Sequence, residues 1–201
     1  NAPGEEIAFL AGAHSTPSEP PRVAVVRRKR ALNDGVATGA GPSWLELREA
    51  TGERLWAAAI DAQITALTVD SQGDSDTSSI VVGTSNGEVF AYGFGGNLLW
   101  SHRFSDLAGG VRHLVYHDQV GTEPGGLLVA GQRTIESLTP SAAGPISTVF
   151  VAFDQPIVAL YSVPASPNRE LAVSLVVFLE DGSVHGLNGR GIEMGQWSWP
   201  F

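Results

Sequence analysis

Short apolar runs alternate with glycine-rich turns along most of the chain. The clearest case is Ser78 to Trp100, SSIVVGTSNGEVFAYGFGGNLLW. Ile80-Val81-Val82-Gly83 is β-branched and apolar, which suits a buried strand. Asn86-Gly87 offers the two left-handed positions of a two-residue type I′ turn. Val89-Phe90-Ala91-Tyr92 is the return strand, Gly95-Gly96-Asn97 turns again, and Leu98-Leu99-Trp100 opens another strand. Successive hairpins of this kind make a β-meander. No stretch of about 12 residues carries helical periodicity, so the pattern predicts an all-β chain.

The sentence repeats. VVFLEDGSVHGL, Val176 to Leu187, aligns without gaps on VVGTSNGEVFAY, Val81 to Tyr92, with Asp181-Gly182 where Asn86-Gly87 stands. LLVAGQRTIESL, Leu127 to Leu138, is a third copy with Arg133 at the glycine position, and must turn differently or accept strain. A looser fourth copy runs from Arg22 to Trp56. There TGERLW matches GGNLLW, Gly95 to Trp100, in its glycine-to-tryptophan spacing. An apolar strand precedes each hairpin, and the anchors Ile64, Val111 and Ile157 are 47 and 46 residues apart. Self-similarity at roughly 40 to 50 residues with four strands per unit predicts β-propeller blades. The units fall at about 1–60, 61–105, 106–153 and 154–201, in one propeller or part of one. A β-sandwich with coincidental spacing is the alternative.

Two repeat families are similar. ATGERLW, and partly FGGNLLW, resembles the quinoprotein-like (PQQ-type) repeat, in which a strand ends in Thr-Gly-x-x-x-Trp. VDSQGDSDTSSIVVGT, Val69 to Thr84, looks like a degenerate FG-GAP or integrin-α-like repeat, an acidic loop ahead of Leu-Val-Val-Gly. Both resemblances imply a propeller, and such repeats serve unrelated functions.

Charge and composition remove some classes. Of 201 residues, 43% are apolar and 16% charged, which fits a packed domain and not a disordered chain. The net charge of −9 disfavours nonspecific nucleic-acid binding. With no cysteine, disulfides and thiolate metal sites are excluded, and redox chemistry does not indicate a compartment. No apolar run approaches the roughly 20 residues of a spanning helix. The chain opens Asn1-Ala2-Pro3, which reads as a processed or trimmed piece of a longer protein.

Candidate chemistry is sparse. The FG-GAP resemblance makes Asp70, Asp74 and Asp76 a candidate Ca²⁺ site with hard oxygen ligands; the competing reading is a solvated loop between strands. The quinoprotein resemblance implies a tryptophan platform under a quinone. Trp44, Trp56, Trp100, Trp197 and Trp199 are available, but Trp56 and Trp100 recur at equivalent positions, as structural residues between blades do. They are expected to be largely buried, with their indole N–H groups paired. Asn86, Gly87, Asp181 and Gly182 are expected to be structural turn residues. Arg27 to Arg30, RRKR, is the one basic run, and it precedes a Gly-rich segment, 30–43, that reads as a flexible loop. His113 and His117 lie on one strand about 13 Å apart, too far to share a metal.

No catalytic constellation is evident, and no cofactor is expected apart from the Ca²⁺ candidate. The chain reads as a non-enzymatic scaffold for protein–protein interaction, with protein partners or further blades of its own chain. It expects no nucleic acid, small-molecule substrate or membrane span. Degenerate propellers of this kind occur in trafficking, ciliary and membrane-associated assemblies. The alternatives are a Ca²⁺-binding extracellular adhesion propeller and a fragment of a quinoprotein oxidoreductase. Four blades also predict an open arc, or a ring finished by other segments or chains, with exposed faces that recruit a partner.

Overall fold

A computed structural model of the chain describes residues 5–13, 20–33, 36–70, 78–105, 107, 109–117, 126–139, 144–163 and 173–198. The described residues form sixteen strands and no helix, arranged as four antiparallel four-stranded sheets. The first contains β1 (Glu5–Ala13), β2 (Arg22–Asn33), β3 (Val36–Glu49) and β4 (Arg54–Ile60). The second contains β5 (Ile64–Asp70), β6 (Ser79–Thr84), β7 (Glu88–Gly93) and β8 (Leu98–Arg103). The third contains β9 (His113–His117), β10 (Gly126–Ala130), β11 (Thr134–Thr139) and β12 (Ile146–Ala152). The fourth contains β13 (Ile157–Ser162), β14 (Leu175–Leu179), β15 (Ser183–Leu187) and β16 (Glu193–Ser198). Each sheet is a meander in chain order, so its first and fourth strands are edges.

The chain divides into two compact units, Asn1–Arg103 and Phe104–Phe201, each holding two sheets. Strand alternation builds both cores. In the first unit, Ala24, Val26, Leu45 and Leu47 of one sheet pack on Ile64, Ile80, Val82, Tyr92 and Phe94 of the next. In the second, Leu128, Ala130 and Ile135 pack on Ile157, Leu160, Leu175 and Val177. Their neighbours in sequence point to the opposite face. A single sheet buries one face this way and leaves the other to whatever comes next.

Two expectations are corrected here. The segment 30–43 is not a loop: β2 and β3 extend as a long hairpin arm, with Arg30 paired to Ala40, Leu32 to Ala37 and Asn33 to Val36. Register shifts between Arg28 and Arg30 and between Arg30 and Leu32 let the ladder continue past the glycines. The turns at Asn86-Gly87 and Asp181-Gly182 are not two-residue loops. The Gly87 N–H donates to the Thr84 oxygen at 3.2 Å and the Gly182 N–H to the Leu179 oxygen at 3.1 Å. Each loop therefore has three residues, and its glycine comes last, at φ 81° and 83°. A left-handed third residue is how a three-residue hairpin matches the twist of its strands. At the Arg133 copy the loop shortens to two residues, closed by Gly131 N–H to Thr134 oxygen at 2.9 Å. The shorter loop has no third residue, so Arg133 does not take the position that Gly87 and Gly182 hold.

Candidate functional site

The connection between third and fourth strands sets the contact between sheets. Three such turns have the same backbone: Glu49 to Gly52, Gly93 to Gly96 and Asn188 to Gly191. In each, the glycine N–H bonds back to the first carbonyl at 2.9 to 3.0 Å, and the first N–H bonds forward to residue 53, 97 or 192 at 2.9 Å. The glycines are left-handed, at φ 89°, 88° and 76°. In the first unit, Trp56 of β4 lies on Gly96 of the second sheet. A Cβ at Gly96 would stand 2.9 Å from the Trp56 Cγ. The Trp56 indole N–H donates to the Phe94 oxygen at 2.8 Å, and its ring stands 6.0 Å from that of Tyr92. In the second unit, Phe150 of β12 plays the same part on Gly191, where a Cβ would meet the Phe150 oxygen at 2.8 Å and its ring at 3.3 Å. One contact is built twice: a fourth-strand aromatic of one sheet on the left-handed glycine of the next.

Trp56 and Trp100 do hold equivalent third positions of β4 and β8, opposite Leu47 and Ala91. Both are half-buried, not largely buried as expected. The fourth strand is a sheet edge, so its side chains are covered from one side.

Two polar networks were not singled out in the sequence. The first surrounds Glu46, whose side chain is 6% exposed on the face of the first sheet turned away from the second. Arg48 Nη2 stands 2.6 Å and Arg27 Nε 3.3 Å from Oε2, and Arg54 Nη1 stands 3.6 Å from Oε1. Three guanidiniums thus surround one nearly buried carboxylate. The signal was the alternation Glu46-Leu47-Arg48, which puts both charges on one side of β3. Within the basic run, Arg27 joins this cluster. Arg28 faces the other way, donating to the Ile64 oxygen and standing 5.1 Å over the Phe9 ring.

The second network runs along the fourth sheet. The Ser183 hydroxyl donates to Asp181 Oδ1 at 2.7 Å, and the Ser183 N–H reaches the same oxygen at 2.9 Å. Ser183 Oγ is 3.1 Å from His185 Nε2, and His185 Nδ1 is 3.2 Å from Glu193 Oε2. Ser183 and His185 are two apart on β15 and so share a face. The order resembles a nucleophile, base and acid, but the hydroxyl proton is committed to Asp181. That leaves Oγ as acceptor for Nε2, the reverse of what an activated nucleophile needs. The Asp181 carboxyl is held below its usual range by the Ser183 hydroxyl and then by the Ser183 N–H. In the second sheet the matching turn is braced by Asn86 Nδ2 donating to Glu88 Oε2 at 2.9 Å.

Of the acidic candidates, Asp70 ends β5, while Asp74 and Asp76 lie outside the described residues. Among the described residues, no three histidines or carboxylates come together to hold a metal. Trp199 also lies outside them. His113 and His117 bound β9, four residues apart on one strand. The His113 imidazole is pushed down by burial and then by the Arg112 charge.

Large apolar side chains are exposed on the fourth strand of every sheet: Leu55 on β4, Leu98 and Leu99 on β8, Ile146 and Val149 on β12, and Met194 and Trp197 on β16. The fourth sheet adds Val158 and Tyr161 on β13, with Tyr161 edge-on to Phe178 at 5.9 Å.

No protein-family model matches the chain, and no curated protein matches it. Solved structures do. BBS1N in complex with ARL6DN superposes with a TM-score of 0.67 at 15% identity, over 98% of this chain and 52% of that one. Sqt1 of Chaetomium thermophilum bound to the N-terminus of the ribosomal protein L10 superposes with a TM-score of 0.61 at 14% identity, over 96% and 62%. Another structure of the same Sqt1 gives 0.64 at 14%, over 97% and 49%. This chain thus spans about half the length of the chains it matches. The four meander sheets and these likenesses establish a β-propeller fold, and its sheets are blades.

Proposed function

We propose that this protein is a non-enzymatic propeller scaffold that binds protein partners through the outer edges of its blades. The observation that carries this reading is the row of exposed leucine, isoleucine, valine and methionine side chains on the fourth strands. An edge strand offers unpaired N–H and C=O groups, and soluble proteins ordinarily blunt such edges with charge. Here the edges are apolar, which suits an extended partner segment added by backbone pairing, with alternate side chains seated on the exposed residues. Two propellers of similar fold support the reading, one solved in complex with ARL6DN and one bound to the N-terminus of ribosomal protein L10.

The test is affinity capture of the full chain with quantitative mass spectrometry. Wild type is compared with Leu98→Ser/Leu99→Ser and with Val149→Ser. Thermal melts first confirm that the exposed substitutions leave the fold intact. A partner held in fixed ratio by wild type and lost from an edge variant is expected. Partners retained equally by all three proteins would contradict edge docking.

A further inference from the structure

The four fourth-strand edges are not alike. β4 carries Arg54, β8 ends in His102-Arg103, and β16 opens on Glu193. β12, ISTVFVA, has no charged residue, no proline and no glycine. Charge and proline are the usual means of blunting an edge. The ladder of β12 with β11 is regular from Ile146, opposite Thr139, to Val149, opposite Glu136, and Phe150 is then the extra residue of a bulge. Ile146 to Val149 is thus a straight stretch of open edge, with Ile146 57% and Val149 68% exposed.

A buried carboxylate stands beside that stretch. Glu46 and Glu136 are the two buried carboxylates among the described residues. Glu46 has Arg27, Arg48 and Arg54 around it. Glu136 accepts a hydrogen bond from the Ser147 hydroxyl, and no lysine, arginine or histidine among the described residues forms an ion pair with it. The bond turns the carboxylate toward β12, and so toward the edge. Val149 lies opposite Glu136, and Ser147 lies opposite Leu138, so these four side chains share one face of the sheet. A carboxylate removed from water is costly, and a cation beside it offsets that cost.

We infer that β12 is the docking strand and that its occupant is an extended partner segment with an arginine or lysine over Ser147, paired with Glu136. The inference rests on the edge reading above and assigns it to one strand and one sequence pattern. The segment adds a fifth strand to the third blade, about 10 Å from β11, or two strand spacings. A long basic side chain and the glutamate together bridge that gap, and serine between them leaves the way open. Two residues along the same face, the segment places an apolar side chain opposite Val149. On the other face it places one opposite Ile146. The net charge of −9 also favours encounter with a basic segment.

The probe is a fluorescein-labelled, amidated peptide, Ser-Val-Thr-Val-Thr-Arg-Val-Ser. Antiparallel to β12, it sets valine opposite Val149, arginine opposite Ser147 and valine opposite Ile146. A second probe carries citrulline, a neutral isostere, in place of the arginine. Fluorescence anisotropy with the full chain, from about 1 µM to about 1 mM, should show saturable binding of the arginine probe. The citrulline probe should bind at least about tenfold more weakly, as loss of one member of a shielded charge pair does. Glu136→Gln should bind the two probes alike, since the pair is then already broken. Val149→Lys should weaken both by charging the edge. Thermal melts check both variants; if Glu136→Gln does not fold, the two probes on wild type decide. No saturable binding, or equal binding of both probes to wild type, would overturn the proposal. Loss of the probe from Leu98→Ser/Leu99→Ser, with retention by Val149→Lys, would overturn the choice of β12 and leave the edge reading standing. Self-association in light scattering that Val149→Lys abolishes would give the edge to a second copy, and would overturn it too.

Discussion

The Trp56 indole seals Gly96: the glycine has no side chain, and a Cβ there would lie 2.9 Å from Trp56 Cγ. The same ring donates its N–H to the Phe94 oxygen at 2.8 Å, so the tryptophan both fills the turn and satisfies one of its carbonyls. Two demands meet at Gly96, a left-handed φ and the space of a missing methyl.

Gly96→Ala should therefore cost more than Gly52→Ala, although both glycines share the left-handed region. Backbone strain alone should cost about 1–2 kcal/mol at either site. At Gly96 the displaced indole should add on the order of 1–3 kcal/mol, as overpacking does. Urea unfolding in dilute solution measures both, and equal costs would remove Trp56 from the account.

Trp56→Phe keeps an aromatic ring but loses the donor to Phe94. A cost of about 0.5–1.5 kcal/mol is expected, the range of one net hydrogen bond. Trp56→Ala should cost about 2–3 kcal/mol, below the figure for fully buried aromatics because the ring is half-exposed. If Trp56→Phe were as damaging as Trp56→Ala, the bond and not the ring's bulk would decide the contact.

Glu46→Gln should destabilise by about 1–2 kcal/mol, because Arg27 and Arg48 keep their partly buried charge and lose its counter-charge. The deficit should shrink little in salt, since the carboxylate is shielded from solvent. Chemical denaturation at low and high ionic strength reads both effects.

The His113 imidazole is depressed by burial and by Arg112. Its unfolded form takes a proton more readily than its folded form. Its contribution to stability is thus full above the ordinary value of 6.5 and is lost as pH falls below it toward the folded value. The melting temperature should drop between pH 7 and pH 5, and His113→Gln should flatten that part of the profile. Asp181, also depressed, acts in a lower window, below its ordinary 3.8.

Gly87→Val should be costly. Gly87 sits at φ 81° as the last residue of a three-residue loop. A β-branched residue in the left-handed region should cost at least about 2 kcal/mol. A melting temperature unchanged by Gly87→Val would contradict the left-handed account of this loop.

The sequence by itself determined the strands, their order within each sheet, and the repeat. Those follow from local facts: an unbroken β-branched run in Ile80-Val81-Val82, glycines where φ turns positive, and recurrence at a blade's length. It also showed that the Arg133 copy must turn differently or accept strain. Loop length at Asn86-Gly87 was not legible, because a glycine closes a two-residue or a three-residue turn depending on the register of its strands. The arm at 30–43 was misread for a similar reason: its glycines suggest a break, and only pairing across the hairpin carries the ladder through them. The Glu46 cluster, the Ser183–His185–Glu193 line and the seating of Trp56 on Gly96 each join residues from different strands or sheets. Strand periodicity says which face a side chain takes, and only tertiary structure decides what meets it there.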